Sequence, residues 1–270
     1  MASFSGKRAL ITGAGSGIGE LLAHELARQG ASVIITAHQK AKANKVANDI
    51  KAAGGDAHAL VLDVSKLGSF EKFRDTVHEQ LGPIDILINN AGVVFGGEFE
   101  QVDVQQHINT FQTNATGLIA LTHTFLDDLI QSKKSWLVNI SSASAFVGLP
   151  YGSSYAASKW AVLGFSESLR LEMKERGFKN ITVTTVCPSY ISTGMFDGVK
   201  SPLLSPILTP EKVVDAIVRG MTKGAAIVQE PPMVRSVDLF KGLLPRPVWD
   251  EVAKYTGIST SMRSWRGKNR

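Results

Sequence analysis

Tyr155 and Lys159, four residues apart, are the pair in this sequence best suited to moving a proton. An ordinary phenol, with a pKa near ~10, is a poor base at neutral pH, but a neighbouring ammonium stabilises its phenolate. On a helix the i, i+4 spacing puts both side chains on one face, where the phenol becomes a tunable donor and acceptor of a proton. An exposed tyrosine beside an exposed lysine gives the same pattern, so its meaning depends on its company. Ser142 lies thirteen residues earlier, closing the run Asn139-Ile140-Ser141-Ser142. Its hydroxyl can donate to a substrate oxygen as charge changes there, or merely cap a turn. Asn89-Asn90-Ala91-Gly92 closes a preceding apolar run in the same way.

A second group of residues is suited to binding rather than proton transfer. Gly13, Gly15, Ser16, Gly17, Ile18 and Gly19 follow the first apolar run and precede a helical pattern. A glycine-rich turn there lets the backbone approach a pyrophosphate, and the free N–H groups of the following helix favour its charge. The spacing departs from G-x-G-x-x-G, and a tight strand-to-helix turn is the alternative. The second apolar run ends Ile35-Thr36-Ala37-His38-Gln39-Lys40. Ala37 stands where an acidic residue would bind the adenosine ribose of NAD, and His38, Lys40 and Lys42 add basic groups nearby. NADP(H) is therefore the expected cofactor and NAD(H) the alternative. The same lysines also suit the solvated face of the next helix.

These residues need a scaffold that brings strand ends together. Apolar, β-branched runs at residues 8–12, 32–36, 57–62, 84–89, 136–141 and 181–187 alternate with helical patterns such as 20–29, 67–81 and 154–175. The alternation predicts an α/β fold, a Rossmann-like doubly wound parallel sheet with helices on both faces. Residues 225–228 read as a seventh strand after a helix at 210–222. With no linker or internal repeat, residues 1–270 are expected to form one domain. Residues 189–210 would be a substrate lid, and the less regular stretch 234–270 a tail. In such sheets ligands bind at the carboxyl ends of the strands, where both asparagine motifs and Ser142 fall.

Composition narrows the setting. The chain has 270 residues, 44% hydrophobic and 20% charged, as expected of a globular protein. A net charge of +5 would suit a polyanion, but the basic residues are dispersed, so nucleic acid is not an expected partner. One cysteine, Cys187, allows no intramolecular disulfide, and no Cys/His spacing suits a metal. A reducing, cytoplasmic location is expected; the first residues lack a signal peptide's pattern, and no run reaches the roughly 18 to 20 apolar residues of a membrane span.

In order and spacing, the glycine loop, Asp63-Val64, Asn89-Asn90-Ala91-Gly92, Asn114, Ser142 and the Tyr155/Lys159 pair resemble the short-chain dehydrogenase/reductase family from Lys7 to about Gly224. The resemblance implies hydride transfer between a nicotinamide and a carbonyl or alcohol carbon. Tyr155 would be the general acid/base, and Ser142 would polarise the substrate oxygen. Lys159 would bind the nicotinamide ribose and lower the tyrosine pKa, and Asn114 would hold a water in the proton relay. Asp63 and Val64 would contact the adenine end, Asn90 the adenosine-side ribose, and Pro188, Ile191 and Thr193 the nicotinamide. It also implies a homodimer or homotetramer packed through the helices carrying Asn114 and Tyr155. Ser189 departs from the family's usual glycine after Pro188. A non-catalytic, dinucleotide-sensing protein of the same fold is the alternative, with the intact Ser142, Tyr155 and Lys159 against it.

Residues 186–196 and Leu243-Leu244-Pro245 are similar to the branch of retinol dehydrogenases and 17β-hydroxysteroid dehydrogenases. That similarity implies a lipophilic alcohol or ketone, held under a lid lined by Met195, Phe196, Leu203, Leu204 and Leu208. The first residues given do not show the hydrophobic anchor usual at the start of that branch, so its membrane residence is not expected to carry over. Trp249, Trp265 and the basic residues Arg246, Lys254, Arg263, Arg266, Lys268 and Arg270 leave weak attachment to a membrane surface as one reading of the tail.

Overall fold

The computed structural model describes residues 4–203 and 205–267; Leu204, Lys268 and Arg270 lie outside the described residues. Seven parallel strands form one sheet in the order β3-β2-β1-β4-β5-β6-β7. They are β1 (Arg8–Ile11), β2 (Ser32–Ala37), β3 (Asp56–Val61), β4 (Ile86–Asn89), β5 (Ser135–Ile140), β6 (Ile181–Pro188) and β7 (Ile227–Glu230). Helices α1 (Gly17–Arg28), α2 (Lys40–Ala52), α3 (Phe70–Leu81), α4 (Val104–Phe111), α5 (Gly117–Gln131), α6 (Ser153–Glu175) and α7 (Pro210–Lys223) fill the connections. The expected doubly wound sheet is present. Its central strands read as near-continuous apolar runs because helices cover both faces.

Small boundary differences have local causes. Ile84 is buried but precedes β4, because its N–H is taken by Asp128 Oδ2 at 2.9 Å rather than by a neighbouring strand. Helix α7 begins and ends where its sequence dictates. The Thr209 hydroxyl accepts the Lys212 N–H, Pro210 opens the helix, and Gly224 closes it with φ +65°.

Strand order reverses at β1, whose neighbours β2 and β4 leave it on opposite sides. The chain after β1 and the chain after β4 therefore face each other across a crevice at the carboxyl edge. Ile191 and Leu208 form a parallel bridge that ties the two ends of the lid together. Ser189 donates its N–H to the Glu230 carbonyl at 2.8 Å, extending the β6–β7 pairing by one residue. Its φ is not positive, so the serine fits where the family often has glycine.

The tail is more regular than its sequence indicates. It forms α8 (Val234–Leu243), α9 (Arg246–Tyr255) and a 3₁₀ segment, Ile258–Ser264. Pro245 and Pro247 interrupt it, and exposed Leu239 and Leu243 blur the polarity of α8, so the helical spacing of Val248, Trp249, Val252 and Ala253 in α9 is confined to too few turns to stand out.

Candidate active site

At the reversal point the loop after β1 is pinned on two sides. Thr12 donates its N–H to the Ile88 carbonyl at 3.0 Å, and Ala14 donates to Thr36 at 2.9 Å. The Thr12 hydroxyl oxygen accepts the N–H groups of Asn90 and Ala91 at 2.9 and 3.0 Å. Asn90 returns its side-chain amide to the carbonyls of Thr12 and Gly13 at 2.9 and 3.2 Å, so it braces the turn. Thr12 is a site residue that the motifs did not single out; its position immediately before Gly13 is the only signal.

The glycines are required by geometry. Gly13 and Gly17 have φ of +64° and +62°, a region costly for residues with a Cβ. A Cβ on Gly19 would lie 2.5 Å from Asn90 Nδ2 and 2.7 Å from the Gly13 carbonyl oxygen. On Gly15 it would lie 2.9 Å from Lys42 Cβ and 3.1 Å from Ala37 Cβ. The Thr193 methyl approaches Gly17, at 3.5 Å from the position its Cβ would take, so the lid reaches the glycine loop. Such a cradle at the start of α1, with Ser16 and Ile18 between its glycines, fits a pyrophosphate.

Ala37 is buried at the end of β2, whereas His38 is exposed. Asp63 accepts from the N–H and hydroxyl of Ser65 at 3.0 and 2.7 Å. Burial pushes its carboxyl up, but the Ser65 hydrogen bonds and the charges of Lys66 and His38 together hold it below the usual value. Val64 is buried, and its carbonyl packs so closely on Gly117 that a Cβ there would be 2.1 Å away.

The four expected catalytic side chains converge on the other half of the crevice, and all are buried: Asn114 (1% exposed), Lys159 (4%), Tyr155 (5%) and Ser142 (9%). Ser142 follows β5, and its oxygen accepts the Ser144 N–H at 3.1 Å, opening a short 3₁₀ turn. Tyr155 and Lys159 lie one turn apart on α6, with Nζ 5.6 Å from the phenol ring centroid. Lys159 Nζ donates to the Ile140 carbonyl at 2.8 Å, and the Lys159 carbonyl accepts from Ser141 at 2.8 Å, which locks the lysine to the end of β5. Asn114 sits in one turn of π-helix, Gln112–Thr116, between α4 and α5, a distortion frequent at functional positions. A Cβ on Gly92 would be 3.3 Å from Asn114 Oδ1 and 3.7 Å from Lys159 Nζ. The glycine thus keeps the space between them clear.

The electrostatics follow from burial. Desolvation lowers Lys159 to about 8. It also raises the Tyr155 phenol well above its ordinary value, with the Ser142 hydroxyl acting in the opposite direction. In the protein alone, burial and not the Lys159 ammonium dominates the tyrosine. The site therefore offers a protonated phenol beside a hydroxyl, a combination that can hand a proton to a carbonyl oxygen.

Ser142 and Tyr155 open onto a cavity of about 520 Å³. Phe196 and Leu203 line it as expected of a lid, but much of the wall comes from the tail, including Val237, Phe240, Trp249 and Val252. Leu208 instead belongs to the core beneath the sheet, and Met195 packs with the cluster around Tyr155. Trp265 donates its indole N–H to the Met195 carbonyl at 3.1 Å. Trp249 helps to build the cavity wall, which sequence reading missed, and Trp265 packs with the cluster around Tyr155.

The chain matches the family model for short chain dehydrogenases over residues 7–203. It is 34% identical over 274 residues to epidermal retinol dehydrogenase 2 of Mus musculus, a match covering 98% of this chain and 87% of that protein. It is 29% identical to estradiol 17-beta-dehydrogenase 11 of Homo sapiens, covering 90% and 81% respectively. Among solved structures it superimposes on a short chain dehydrogenase/reductase from Burkholderia phymatum in complex with NAD, with a TM-score of 0.81 at 24% identity over 90% of this chain and 95% of the other. The actinorhodin polyketide ketoreductase with NADPH gives 0.76 at 27% identity, over 87% and 99%.

Proposed function

The chain belongs to the short-chain dehydrogenase/reductase family, and on that premise we propose that it reduces or oxidises a lipophilic substrate of retinoid, steroid or fatty type at a carbonyl or alcohol carbon. It is an oxidoreductase acting on CH–OH groups with a nicotinamide dinucleotide, and the non-catalytic alternative falls away. The substrate reading is carried by the placement of Ser142 and Tyr155 on the wall of a largely apolar cavity.

The glycine loop and the residues Pro188, Ile191 and Thr193 would hold a nicotinamide dinucleotide, which would supply or accept the hydride. Ser142 holds the substrate oxygen, and the Tyr155 phenol gives that oxygen a proton in reduction and takes it back in oxidation. Lys159 binds the nicotinamide ribose and favours the phenolate, steadied by the Ile140 carbonyl. Asn114 orders a water in the relay across Gly92. Asp63 and Val64 lie at the adenine end, with Asn90 on the ribose side, Ala91 and Gly92 along the crevice, and Pro188, Ile191 and Thr193 beside the nicotinamide. The whole chain serves one site, with residues 189–210 and the tail closing it.

NADP(H) is the proposed cofactor, supported by the neutral Ala37 and by the Lys42 stem packed against Gly15. A homodimer or homotetramer is supported by the outward stripe of Val104 (69% exposed), Ile108 (52%) and Phe111 (42%) on α4. The proposed location is cytoplasmic, where the lone buried thiol, Cys187, stays reduced. Among the described residues no helix is long and apolar enough to cross a membrane. The feature favouring weak attachment to a membrane surface is α8, where Leu239, Phe240 and Leu243 are exposed near Arg235 and Arg246. Replacing the three apolar residues by serine would abolish co-sedimentation with anionic vesicles.

The test of the catalytic reading is turnover of retinoids, steroids and aliphatic ketones with each nicotinamide cofactor, alongside Tyr155→Phe. The variant should bind dinucleotide normally and lose at least about 100-fold in kcat; full activity in the variant refutes the assignment.

A further inference from the structure

The turn that begins at Ser142 is held by side chains from two distant helices. Within it, the Ser142 carbonyl accepts the Ala145 N–H at 2.9 Å and the Ala143 carbonyl accepts the Phe146 N–H at 3.1 Å. The carbonyls of Ser144 and Phe146 go to side chains instead. Trp160, the residue after Lys159 on α6, donates its indole N–H to the Ser144 carbonyl at 2.7 Å, with the Val147 carbonyl also in reach at 3.4 Å. Lys241 of α8 donates to the Phe146 carbonyl at 2.7 Å, and the same ammonium sits 4.2 Å from the centroid of the Trp160 ring. Ammonium and indole thus form one clamp, with the cation over the ring face. Core packing does not account for Trp160, which is 45% exposed. Its distinctive contribution is the indole N–H.

What the clamp holds is the amide that orients Ser142. Ser144 donates its N–H to Ser142 Oγ at 3.1 Å. A hydroxyl whose oxygen is engaged by that donor keeps its own hydrogen for a substrate oxygen. We propose that Trp160 is a positioning residue for Ser142, setting the Ser144 amide from which the Ser142 hydroxyl takes its direction, and that Lys241 ties this setting to α8. The proposal deepens the oxidoreductase reading and rests on it. Its consequence is kinetic, because a misplacement of about 1 Å at a reacting group can cost on the order of 100-fold in rate. Helix α8 also supplies Val237 and Phe240 to the cavity wall. Through Lys241 the wall that meets the substrate is therefore joined to the hydroxyl that polarises its oxygen.

The experiment is a double-mutant cycle. Trp160→Phe keeps a ring beneath the ammonium and removes the indole N–H. Steady-state rates of the unaltered protein, Trp160→Phe, Ser142→Ala and the double variant are measured on whichever of retinaldehyde, estrone and a long-chain methyl ketone is reduced fastest with either nicotinamide cofactor. Trp160→Phe should lower kcat about tenfold and change KM less than about threefold, as expected of an interaction felt in the transition state. In the Ser142→Ala background the same substitution should change kcat less than about twofold, because its effect runs through the missing hydroxyl. A residue that only supports the fold would multiply the two losses. Lys241→Met should lower kcat at least about threefold, and Lys241→Arg, which keeps a cation over the ring, should recover most of that loss. Equal losses in both Lys241 variants, or none in either, remove Lys241 from the clamp. An unchanged kcat in Trp160→Phe, or full multiplication of losses in the double variant, overturns the inference and leaves the oxidoreductase function standing. Full activity in Ser142→Ala, or no turnover of any probe by the unaltered protein, overturns the proposed site and the inference together.

Discussion

Asn114 and Val93 exchange two hydrogen bonds, Asn114 Oδ1 accepting the Val93 N–H at 2.8 Å and Nδ2 donating to the Val93 carbonyl at 2.9 Å. The side chain thereby pairs with a backbone segment as a neighbouring strand would. The second Nδ2 hydrogen reaches Ser158 Oγ at 3.1 Å, and Ser158 in turn donates to the Tyr155 carbonyl at 2.7 Å. One asparagine therefore couples the chain leaving β4 to the helix that carries the phenol.

Asn114→Leu should destabilise the fold by roughly 1–2 kcal/mol, because it orphans a part-buried N–H and a part-buried C=O together. Chemical denaturation of the variant would measure this. A loss below about 0.5 kcal/mol would mean that the pair contributes little.

Gly19→Ala distinguishes close packing from helix propensity. Within an unhindered helix this change is stabilising by about 0.5–1 kcal/mol. Here the new methyl meets Asn90 Nδ2 and the Gly13 carbonyl below 3 Å, so Tm should fall and dinucleotide affinity drop about tenfold or more. A stabilised variant with unchanged affinity would contradict the cradle.

The buried Lys159, lowered to about 8, links stability to pH. Between about pH 8 and the ordinary lysine value near ~10.4, the unfolded chain holds a proton that the folded chain has released. Stability from this group therefore rises with pH across that window, and below it the full cost of burying the ammonium is felt. Lys159→Met should remove this rise from the Tm-versus-pH curve of the cofactor-free protein. Parallel curves for the two proteins would disprove the linkage.

Ala37→Asp places a carboxylate at the end of β2, beside Gly15 and Lys42. The ratio of kcat/KM for NADP(H) over NAD(H) should fall by about tenfold or more, through repulsion of the 2′-phosphate. An unchanged ratio would exclude this position from cofactor choice.

The branch's short motifs pointed to the apolar cavity, but its builders lay elsewhere. Phe196 and Leu203 were legible in the lid, whereas Val237, Trp249 and Val252 come from a stretch whose sequence looked irregular. Short helices set off by prolines offer few turns from which to read a period, and the apolar residues of α8 face both the cavity and the surface. Thr12 and Ser158 were illegible for another reason: a hydroxyl gains meaning only from its partners.

The sequence by itself determined the parallel sheet and the glycine turn, because strand and helix periodicity and the placing of glycines are local properties, and it reached the reaction class through the family resemblance of its ordered motifs rather than through the Tyr155 and Lys159 spacing alone. Only the tertiary structure decided that burial dominates the Tyr155 phenol, that Asn90 braces the glycine loop, that the tail walls the cavity, and that Trp160 and Lys241 clamp the turn after Ser142. Desolvation and hydrogen-bond satisfaction depend on which distant segments meet, and no spacing along the chain encodes that directly.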